Sequence, residues 1–502
     1  MKTYTKVVIF ASFLASLILV ISPNITAFTC NKKTVCNEDG FQFEHRICSS
    51  EDEEGGAFIV WSGNNNLSDM YFSEYKIYAQ KIDSNGKALW KSNGIAVCIE
   101  SGSQRYPQVC NDGEGGAIIV WSDYRTGSDI YAQRIDADGN LLWNVSGNHV
   151  SSGYLLFQAK SDNLGGAIIS WSELDPIYFP NDLFAQRIDS NGTIKWGNNG
   201  VVICNATESQ PVLDFFCDED GNSFFSWIDY RNTLDSDTLW DNSDIFAQKV
   251  DIYGNVQWLL NGTAVCTLNG PQWLPRVCTD EAGGMIINWI DGERYQCFGQ
   301  RLNSTGEIQW DANGTVLVSS IELAPYAAMM SDGQGGALIT VGVSEFGLSV
   351  LRINSSADII YFKEFYNNED EILPLWVQMC NDGEGGAFIT WTALVPSTDE
   401  LDVIAQRIDS EGDHLWALEG KIICDYPGHQ FNVQICNNGV GSAIISWERW
   451  FTTISSPYDT DVYYTLLGKG EDAIFFGNFY LIFTALFILA LIVVTKRYLH
   501  QK

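Results

Sequence analysis

The sequence predicts an all-β chain: an eight-bladed β-propeller of four-stranded blades over residues 31–468, plus one C-terminal transmembrane helix. Three observations predict this. One apolar motif recurs eight times, a second motif follows nearly every copy, and an uncharged apolar stretch lies near the carboxyl end. Repeated units that cannot cover their own faces must stack on their neighbours, and radial stacking of four-stranded units gives a propeller.

The first motif reads Gly-Gly-Ala-Ile-Ile-Val-Trp at Gly115–Trp121. Paired glycines favour a turn, and the β-branched and aromatic run after them favours a strand. Each copy therefore predicts a turn that leads into a buried strand. The copies lie at Gly55–Trp61, Gly115–Trp121, Gly165–Trp171, Gly221–Trp227, Gly283–Trp289, Gly335–Val341, Gly385–Trp391 and Gly441–Trp447.

A second motif reads Ile-Tyr-Ala-Gln-Arg-Ile-Asp-Ala-Asp-Gly-Asn-Leu-Leu-Trp at Ile130–Trp143 and predicts the third and fourth strands of a blade around a tight turn. We expect the repeated tryptophans of both motifs to pack between blades, and the repeated glutamine, for example Gln133, to satisfy buried backbone groups. The other copies lie at Ile77–Trp90, Leu183–Trp196, Ile245–Trp258, Cys297–Trp310 and Val403–Trp416, with a weakened copy at Ser349–Tyr361.

The eighth repeat stops at Asp461–Gly468, before a fourth strand. The amino-terminal Thr34, Val35 and Cys36 match the Ala-Val-Cys that ends other repeats. The sequence therefore predicts that a strand near residues 33–37 completes the last blade, which spans residues 430–467. Such a closure removes the exposed strand edge.

These motifs resemble the repeats of secreted prokaryotic surface proteins that carry the signature GGAxIxW…DIYAQRID…G…LW, and the resemblance covers residues 31–468. It implies an eight-bladed ring displayed outside the cell, and it implies no assigned reaction. The stretch over residues 77–94 is also similar to the repeats of pyrroloquinoline-quinone enzymes and of outer-membrane assembly propellers. That second likeness is confined to the third and fourth strands.

Both ends of the chain predict export with type I single-pass topology. Lys2 and Lys6 precede an apolar run, which is the pattern of a cleaved signal over residues 1–27; a retained signal anchor is the alternative. Ala473–Thr495 is uncharged and long enough to span about 30 Å of hydrocarbon as a helix. Basic residues follow it, so residues 496–502 are expected in the cytoplasm and the propeller outside, joined by a linker of residues 469–472.

The charge balance is strongly acidic, with 62 Asp and Glu against 29 Lys and Arg. Such a surface repels polyphosphate, so nucleic acid is not an expected partner. A solvated acidic exterior is favoured over a dedicated cation-binding role. Sequons that permit glycosylation begin at Asn66, Asn144, Asn191, Asn205, Asn261, Asn303, Asn313 and Asn354.

Most of the 13 cysteines form pairs twelve or thirteen residues apart, and each pair brackets the connection between two repeats. Nearly every connection carries both members or neither, which favours a covalent bond; unpaired core cysteines are the alternative. Cys30, Cys297 and Cys380 have no assigned role. The sequence predicts the disulfides Cys36–Cys48, Cys98–Cys110, Cys204–Cys217, Cys266–Cys278 and Cys424–Cys436.

The chain carries no recognisable catalytic motif and no cofactor is expected. The five histidines lack zinc-ligand spacing, and neither a GxSxG elbow nor a phosphate-binding glycine loop occurs. The adjacent cysteines of the similar quinone enzymes are missing, and the turn before the fourth strand is one residue longer than the sialidase turn. Asp136 with Asp138, or Asp218 with Asp220, could hold calcium, but polar hairpin turns are the favoured interpretation.

The loops between second and third strands vary most and open on one face of the predicted ring. Trp240 and Trp450 lie outside the repeat positions, so the core does not account for them. Exposed aromatic rings beside charged groups suit stacking on sugars or on a protein partner, with ordinary loop packing as the alternative. The candidate ligand-binding residues are Tyr178, Phe179, Tyr230, Arg231, Trp240, Asp241, Arg449, Trp450 and Phe451.

These observations favour a non-enzymatic cell-surface protein that binds glycans or proteins through one face. One alternative is a propeller enzyme, either a quinoprotein-like oxidoreductase or a glycan-cleaving enzyme. Another is a structural component of the cell envelope. Clustered carboxylates and an arginine lining the central channel would favour the enzyme, and an apolar channel would oppose it.

Overall fold

The computed structural model describes residues 32–36, 40–52, 54–64, 74–152, 155–173, 182–210, 213–232, 242–319, 321, 327–343, 347–367, 374–395, 400–424, 426–451 and 459–468. The predicted signal, linker, membrane span and tail lie outside these residues, as does Cys30. Within the described ranges every regular element is a strand, and no helix suited to crossing a membrane is found there.

The first half of the described chain contains seventeen strands. They are β1 (Lys33–Thr34), β2 (Phe41–Ser49), β3 (Gly56–Asn64), β4 (Lys76–Asp83), β5 (Ile95–Cys98), β6 (Gln104–Asn111), β7 (Ala117–Asp123), β8 (Asp129–Ile135), β9 (Asn148–Ser152), β10 (Leu155–Ser161), β11 (Ala167–Glu173), β12 (Leu183–Ile188), β13 (Val201–Cys204), β14 (Leu213–Cys217), β15 (Ser223–Asp229), β16 (Asp244–Val250) and β17 (Thr263–Cys266).

The second half continues the same pattern. Its strands are β18 (Gln272–Thr279), β19 (Met285–Asp291), β20 (Gln296–Leu302), β21 (Thr315–Val318), β22 (Met329–Ser331), β23 (Ala337–Val343), β24 (Gly347–Ile353), β25 (Ile359–Asn367), β26 (Leu375–Asn381), β27 (Ala387–Val395), β28 (Glu400–Ile408), β29 (Lys421–Cys424), β30 (Gln430–Asn437), β31 (Ala443–Phe451) and β32 (Asp459–Leu467).

The strands form six four-stranded sheets and one eight-stranded sheet. The eight-stranded sheet consists of two sets, β2–β5 and β30–β32 with β1, joined by one parallel pairing of Phe41 with Thr460. We number the four-stranded sets as units in chain order. Unit 1 is β2–β5, units 2 to 7 are β6–β9, β10–β13, β14–β17, β18–β21, β22–β25 and β26–β29, and unit 8 is β30–β32 with β1. The predicted all-β architecture of four-stranded units is confirmed.

Contacts between the first strands of the units close on themselves. β2 contacts β6, which contacts β10, and the series continues through β14, β18, β22 and β26 to β30, which contacts β2 again. Every unit therefore has a neighbour on both sides, so the faces that one unit cannot cover alone are covered by the next.

The hydrophobic core lies between neighbouring units. Trp121 in unit 2 is fully buried in a hydrophobic cluster with Phe58 and Val60 of unit 1. The second-motif Trp143 donates its Nε1–H to the carbonyl of Ser190 in unit 3 at 3.0 Å. The predicted packing of the repeated tryptophans between units is confirmed. The same donation into the next unit is made by Trp90, Trp196, Trp258 and Trp310.

The repeated glutamine of the third strand ties that strand to the chain that follows it. Gln133 Oε1 accepts from the backbone N–H groups of Arg134 and Trp143, and its Nε2 donates to the carbonyl of Asn144 at 2.7 Å. The predicted role in satisfying buried backbone groups is therefore confirmed. The same pattern recurs at Gln80, Gln186, Gln248, Gln300 and Gln406.

The amino-terminal segment pairs with the last strand of unit 8, where the sequence places it. Thr34 opposes Tyr463 in an antiparallel pairing, and the backbone N–H of Val35 donates to the carbonyl of Val462 at 3.0 Å. Val35 and Cys36 are buried in a cluster shared by units 8 and 1. β1 therefore takes the place of a fourth strand in unit 8.

The disulfide prediction is wrong, because none of the five bonds is present between the described cysteines. Cys98 ends β5, where its Sγ accepts from Arg125, and Arg125 binds Asp123 at one end of β7. Cys110 lies opposite Ile118, which is five residues from Asp123 along β7. The two cysteines are therefore about 17 Å apart in the direction of that strand. A disulfide needs Cα atoms within about 7 Å. The same correction applies to Cys36–Cys48, Cys204–Cys217, Cys266–Cys278 and Cys424–Cys436.

Repetition explains why the cysteines occur together. Cys98 and Cys110 fill two separate buried positions of the repeat, with 2% and 6% of their surface exposed. Burial raises the pKa of the Cys204 thiol to about 11 and that of Cys110 well above its usual range. Small, neutral thiols therefore suit both positions as packing residues, which is the alternative interpretation of the pattern.

Candidate functional site

Antiparallel order gives every unit two different edges. The loop between second and third strands and the connection to the next unit lie at one edge, which we call the loop edge. The turns between first and second strands, and between third and fourth strands, lie at the opposite edge, the turn edge. The described second strands therefore end, and the third strands begin, at the loop edge.

Part of the predicted ligand-binding set is not a surface set. Tyr230 is 4% exposed and belongs to a core cluster between units 4 and 5, so its prediction as an exposed aromatic residue is wrong. The guanidinium of Arg231 donates to Asp229 and lies 3.9 Å from the ring centroid of Phe246. Tyr178, Phe179, Trp240 and Asp241 lie outside the described residues.

The remaining predicted residues lie at the end of β31. Arg449 is buried and donates its Nε–H to the carbonyl of Pro427 at 2.7 Å, so its position is structural and its prediction as an exposed binding group is wrong. Trp450 is 49% exposed at the loop edge. Phe451 ends the strand, and its side chain lies outside the described set. Trp450 is thus the predicted residue that the structure leaves open to a ligand.

Among the described residues, the first strands of five units carry a bulge near the loop edge. At this point the register with the second strand shifts, and one residue takes a positive φ, as Glu44 does at 57°. A non-glycine residue in this region is strained, and bulges commonly re-aim a side chain beside a functional site. The equivalent residues are Glu44, Tyr106, Leu274, Trp376 and Asn432.

A buried polar cluster joins units 8 and 1 beside this bulge; we call it the seam cluster. His45 Nδ1 lies 3.0 Å from Glu448 Oε1, and His45 Nε2 lies 3.0 Å from Ser446 Oγ. Asn432 Nδ2 donates to Glu448 Oε1 at 2.6 Å. The order serine, histidine, carboxylate is that of a nucleophile with its base. Ser446 and His45 are fully buried, so the cluster fastens the two units and does not meet a substrate.

Glu44 makes a second connection, from unit 1 to unit 2. Its Oε1 accepts from Arg105 at 2.6 Å, and its Oε2 accepts from the backbone N–H of Tyr106 at 2.8 Å and from Ser62 Oγ at 2.9 Å. Both carboxylate oxygens are thereby used inside the protein. The ring of Tyr106 remains 47% exposed beside them.

Three aromatic side chains at the loop edge of units 7 and 8 contact one another in succession; we call them the aromatic row. The ring centroids of Trp376 and Phe431 are 6.3 Å apart, and those of Phe431 and Trp450 are 5.2 Å apart in an edge-to-face arrangement. Trp376 and Phe431 are half-buried and Trp450 is exposed. The exposed indole of Trp450 offers an apolar face of the kind that stacks on flat ligand faces, and Phe431 and Trp376 extend the apolar surface beside it.

One further set, which we call the girdle, lies in the middle of the first strands. Each member lies opposite the same position of the second strand, namely the residue just before the last residue of the first motif. Each member is partly exposed. Two are arginines, one is an aspartate, and four are glutamines. The girdle residues are Arg46, Gln108, Gln158, Asp214, Arg276, Ala328, Gln378 and Gln434.

The charges of the girdle are shaped by their neighbours. Burial on its own raises the pKa of Asp214, but Lys160 and Arg276 outweigh it, so the pKa lies below its ordinary value. Asp214 Oδ1 accepts from Lys160 Nζ at 3.1 Å. Burial lowers the pKa of the Arg46 guanidinium, and the nearby Glu448 and Glu44 compensate only in part.

Sequence reasoning missed the bulge residues, the seam cluster and the girdle. A signal was present, because the fourth position before the first-strand cysteine reads Glu44, Tyr106, Leu274, Trp376 and Asn432 in different repeats. A position that changes from apolar to charged between repeats is not a shared core position. The seam cluster gave no such signal, because His45 and Glu448 come from opposite ends of the repeat array.

The calcium candidate Asp136 shapes a hairpin turn. Its Oδ1 accepts from the backbone N–H groups of Asp138 and Asn140, and its Oδ2 accepts from Asn140 Nδ2 at 2.9 Å. Asp218 accepts in the same way from Asp220 and Asn222. These bonds fit the polar-turn interpretation, and the described residues hold no cluster of three metal-ligating side chains.

No family model matches the chain, and no curated protein matches its sequence. Solved structures give distant likenesses. A puromycin hydrolase is 9% identical with a TM-score of 0.43, covering 78% of this chain, which spans 57% of that protein. A protein of unknown function from Dyadobacter fermentans is 7% identical with a TM-score of 0.39, covering 88% of this chain and 100% of that one. The Hadza microbial sialidase is 10% identical with a TM-score of 0.37, covering 82% and 76%. Scores this low identify neither a family nor a reaction.

Proposed function

We propose that the eight units are the blades of a β-propeller whose first strands surround a central channel. The closed series of first-strand contacts supports this arrangement, and so does the pairing of β1 with β32. The girdle then lines the channel, and the aromatic row lies at its mouth on the loop edge. The apolar amino-terminal run and the uncharged stretch Ala473–Thr495 support export and display of this propeller at the cell surface.

We further propose that the propeller binds glycans at the loop edge without cleaving them. The exposed Trp450 at the end of the row Trp376–Phe431–Trp450 carries this proposal. Flat indole and phenyl faces match the apolar faces of sugar rings, and Tyr106, which is 47% exposed at the bulge position of unit 2, supplies a polar group on the same edge. A row of rings, rather than one, suits a ligand of several linked sugars.

The carboxylates support binding over hydrolysis. Glycoside hydrolysis by the usual route needs a pair of carboxyl groups flanking the scissile bond. Glu44 and Glu448 are held by internal hydrogen bonds, and Asp214 is the sole carboxylate of the girdle and is paired with Lys160. Arginines therefore line the proposed channel without the clustered carboxylates that the enzyme alternative requires.

A glycan array probed with the full-length protein tests the proposal. We expect defined oligosaccharides to bind, and Trp450→Ala to weaken that binding about tenfold, the loss of one stacked ring. Tyr253→Ala is the matched control, because Tyr253 is 80% exposed in a turn-edge hairpin and its loss leaves the row intact.

Two results would contradict glycan binding at the row. One is equal binding by Trp450→Ala and the unchanged protein; the other is no glycan bound at all. Release of reducing sugar from a bound oligosaccharide would instead establish the glycan-cleaving alternative.

A further inference from the structure

We infer that the girdle selects acidic glycans, by holding a carboxylate or sulfate group of the bound sugar between Arg46 and Arg276. This inference rests on the proposed glycan binding and names its ligand class. The chain has a net charge of −33, yet this inner surface carries cationic side chains. Arg46, Arg276 and Lys160 outnumber the single girdle carboxylate, Asp214, which lies near Lys160 and Arg276. The carboxylates near Arg46 are Glu44 and Glu448, and both are held by internal hydrogen bonds.

The two arginines keep most of their donors available. Arg46 donates from one terminal nitrogen to the carbonyl of His45 at 2.8 Å, and Arg276 donates its Nε–H to the carbonyl of Ala327 at 3.0 Å. Within the part of the chain that the structure describes, neither forms an ion pair within 4 Å, whereas Asp214 already has Lys160. Such backbone bonds orient each guanidinium and leave its other N–H groups for an anion.

The positions of these arginines suit one shared ligand. Arg46 belongs to unit 1 and Arg276 to unit 5, four steps apart in either direction around the eight-membered series. Both occupy the same register position, so in the propeller they face each other across the channel at one depth. Gln108 and Gln378 add neutral amide donors and acceptors at that depth.

The acidic exterior limits which anions can use this site. A long polyanion would meet repulsion along the surface, but a sugar chain with one charged residue at its end would not. Its neutral rings would lie on the aromatic row while the charged end enters the channel. A guanidinium pairs with a carboxylate or sulfate through parallel N–H···O bonds, which a neutral hydroxyl group cannot match in strength.

Calorimetry with the full-length protein tests this selectivity. The probes are a galactose trisaccharide whose terminal residue is replaced by galacturonic acid, the matching neutral galactose trisaccharide, and sodium sulfate. We expect the acidic trisaccharide to bind at least tenfold more tightly than the neutral one. Arg46→Gln and Arg276→Gln should each remove this preference by lowering the acidic sugar's affinity to that of the neutral one. Lys87→Gln, an exposed turn-edge residue, makes the same change in net charge and should change neither affinity.

The outcomes separate this inference from the proposed function. Equal affinity for the two sugars, or a preference that survives both arginine substitutions, would overturn acidic selectivity while glycan binding at the row stands. Sulfate binding that depends on Arg46 without any preference for the acidic sugar would also overturn it. If neither trisaccharide nor any array glycan binds, the proposed function itself fails.

Discussion

Two junctions between units use different side chains to join the same kinds of strand. One lies between units 2 and 3, and the other lies between units 8 and 1. Between units 2 and 3, the ring of Trp143 spans the gap and donates to Ser190. Gly192 packs on that ring with φ +78°, where a Cβ would lie 2.9 Å from the indole. This junction is made of groups that recur in unit after unit.

The seam between units 8 and 1 has no second-motif tryptophan. Tyr464 Oη of β32 donates to the carbonyl of Gly86 at 3.4 Å, and Lys33 Nζ donates to the same carbonyl. The buried pair His45 and Glu448 fastens the inner part. Units 8 and 1 are neighbours, but no connecting segment of the chain runs directly from one to the other. Side chains that occur once in the chain therefore supply the connection. The comparison predicts that the seam is more sensitive to single changes than a repeated junction.

The largest expected effect follows removal of the seam strand. Deleting residues 31–37 removes the buried Val35 and Cys36 and the pairing of Thr34 with Tyr463. We expect the free energy of unfolding to fall by about 5 kcal/mol, from lost burial and backbone hydrogen bonds. Urea denaturation measures it, with Thr34→Ala as a control that shortens an exposed side chain and keeps the strand. An unchanged midpoint would mean that β1 does not hold the seam.

A smaller effect is expected from Glu448→Ala. It leaves the buried His45 and Asn432 without their shared acceptor, which should cost about 3 kcal/mol. The matched control is Ser122→Ala, the equivalent position in unit 2, where the residue is also buried and the cost should be about 1 kcal/mol, that of an average substitution. Equal losses at the two positions would show that the seam is an ordinary junction.

The smallest effect concerns a side-chain bridge inside the repeated part. Asp214 accepts from Lys160 of unit 3 and from the backbone N–H of Val277 in unit 5. Because its pKa is lowered in the folded chain, the carboxylate stabilises the fold above the ordinary pKa of about 4, and this contribution disappears as pH falls through the lower folded value.

Asp214→Asn should therefore cost about 1 kcal/mol at pH 7 and progressively less as the pH falls below about 4. Urea denaturation across that range measures the difference, with the exposed hairpin substitution Asp138→Asn as the control. A cost that stays constant with pH would assign the loss to packing rather than to charge.

Repetition explains which parts of this molecule the sequence could predict. Trp143 and Gln133 contact groups within their own unit or the next one, and every copy of the motif repeats the contact. The closing strand was predictable for the same reason, since Val35 and Cys36 complete a pattern that other units display. The disulfide prediction failed because the repeat offers two separate buried positions to small side chains. Cys98 on β5 and Cys110 on β6 fill them about 17 Å apart in the direction of β7, too far for a bond.

The amino-acid sequence by itself determined the four-stranded unit and its closing strand, because turn chemistry and strand periodicity are local and recur along the chain. The tertiary structure alone decided that His45 meets Glu448, 403 residues away, that Arg46 and Arg276 share one register position, and that Tyr230 is buried while Trp450 is exposed. These relations depend on which units become neighbours and where a bulge shifts the register. A side chain that occurs once in the chain gives no periodic signal, so the sequence does not show which units become neighbours or where a bulge shifts the register.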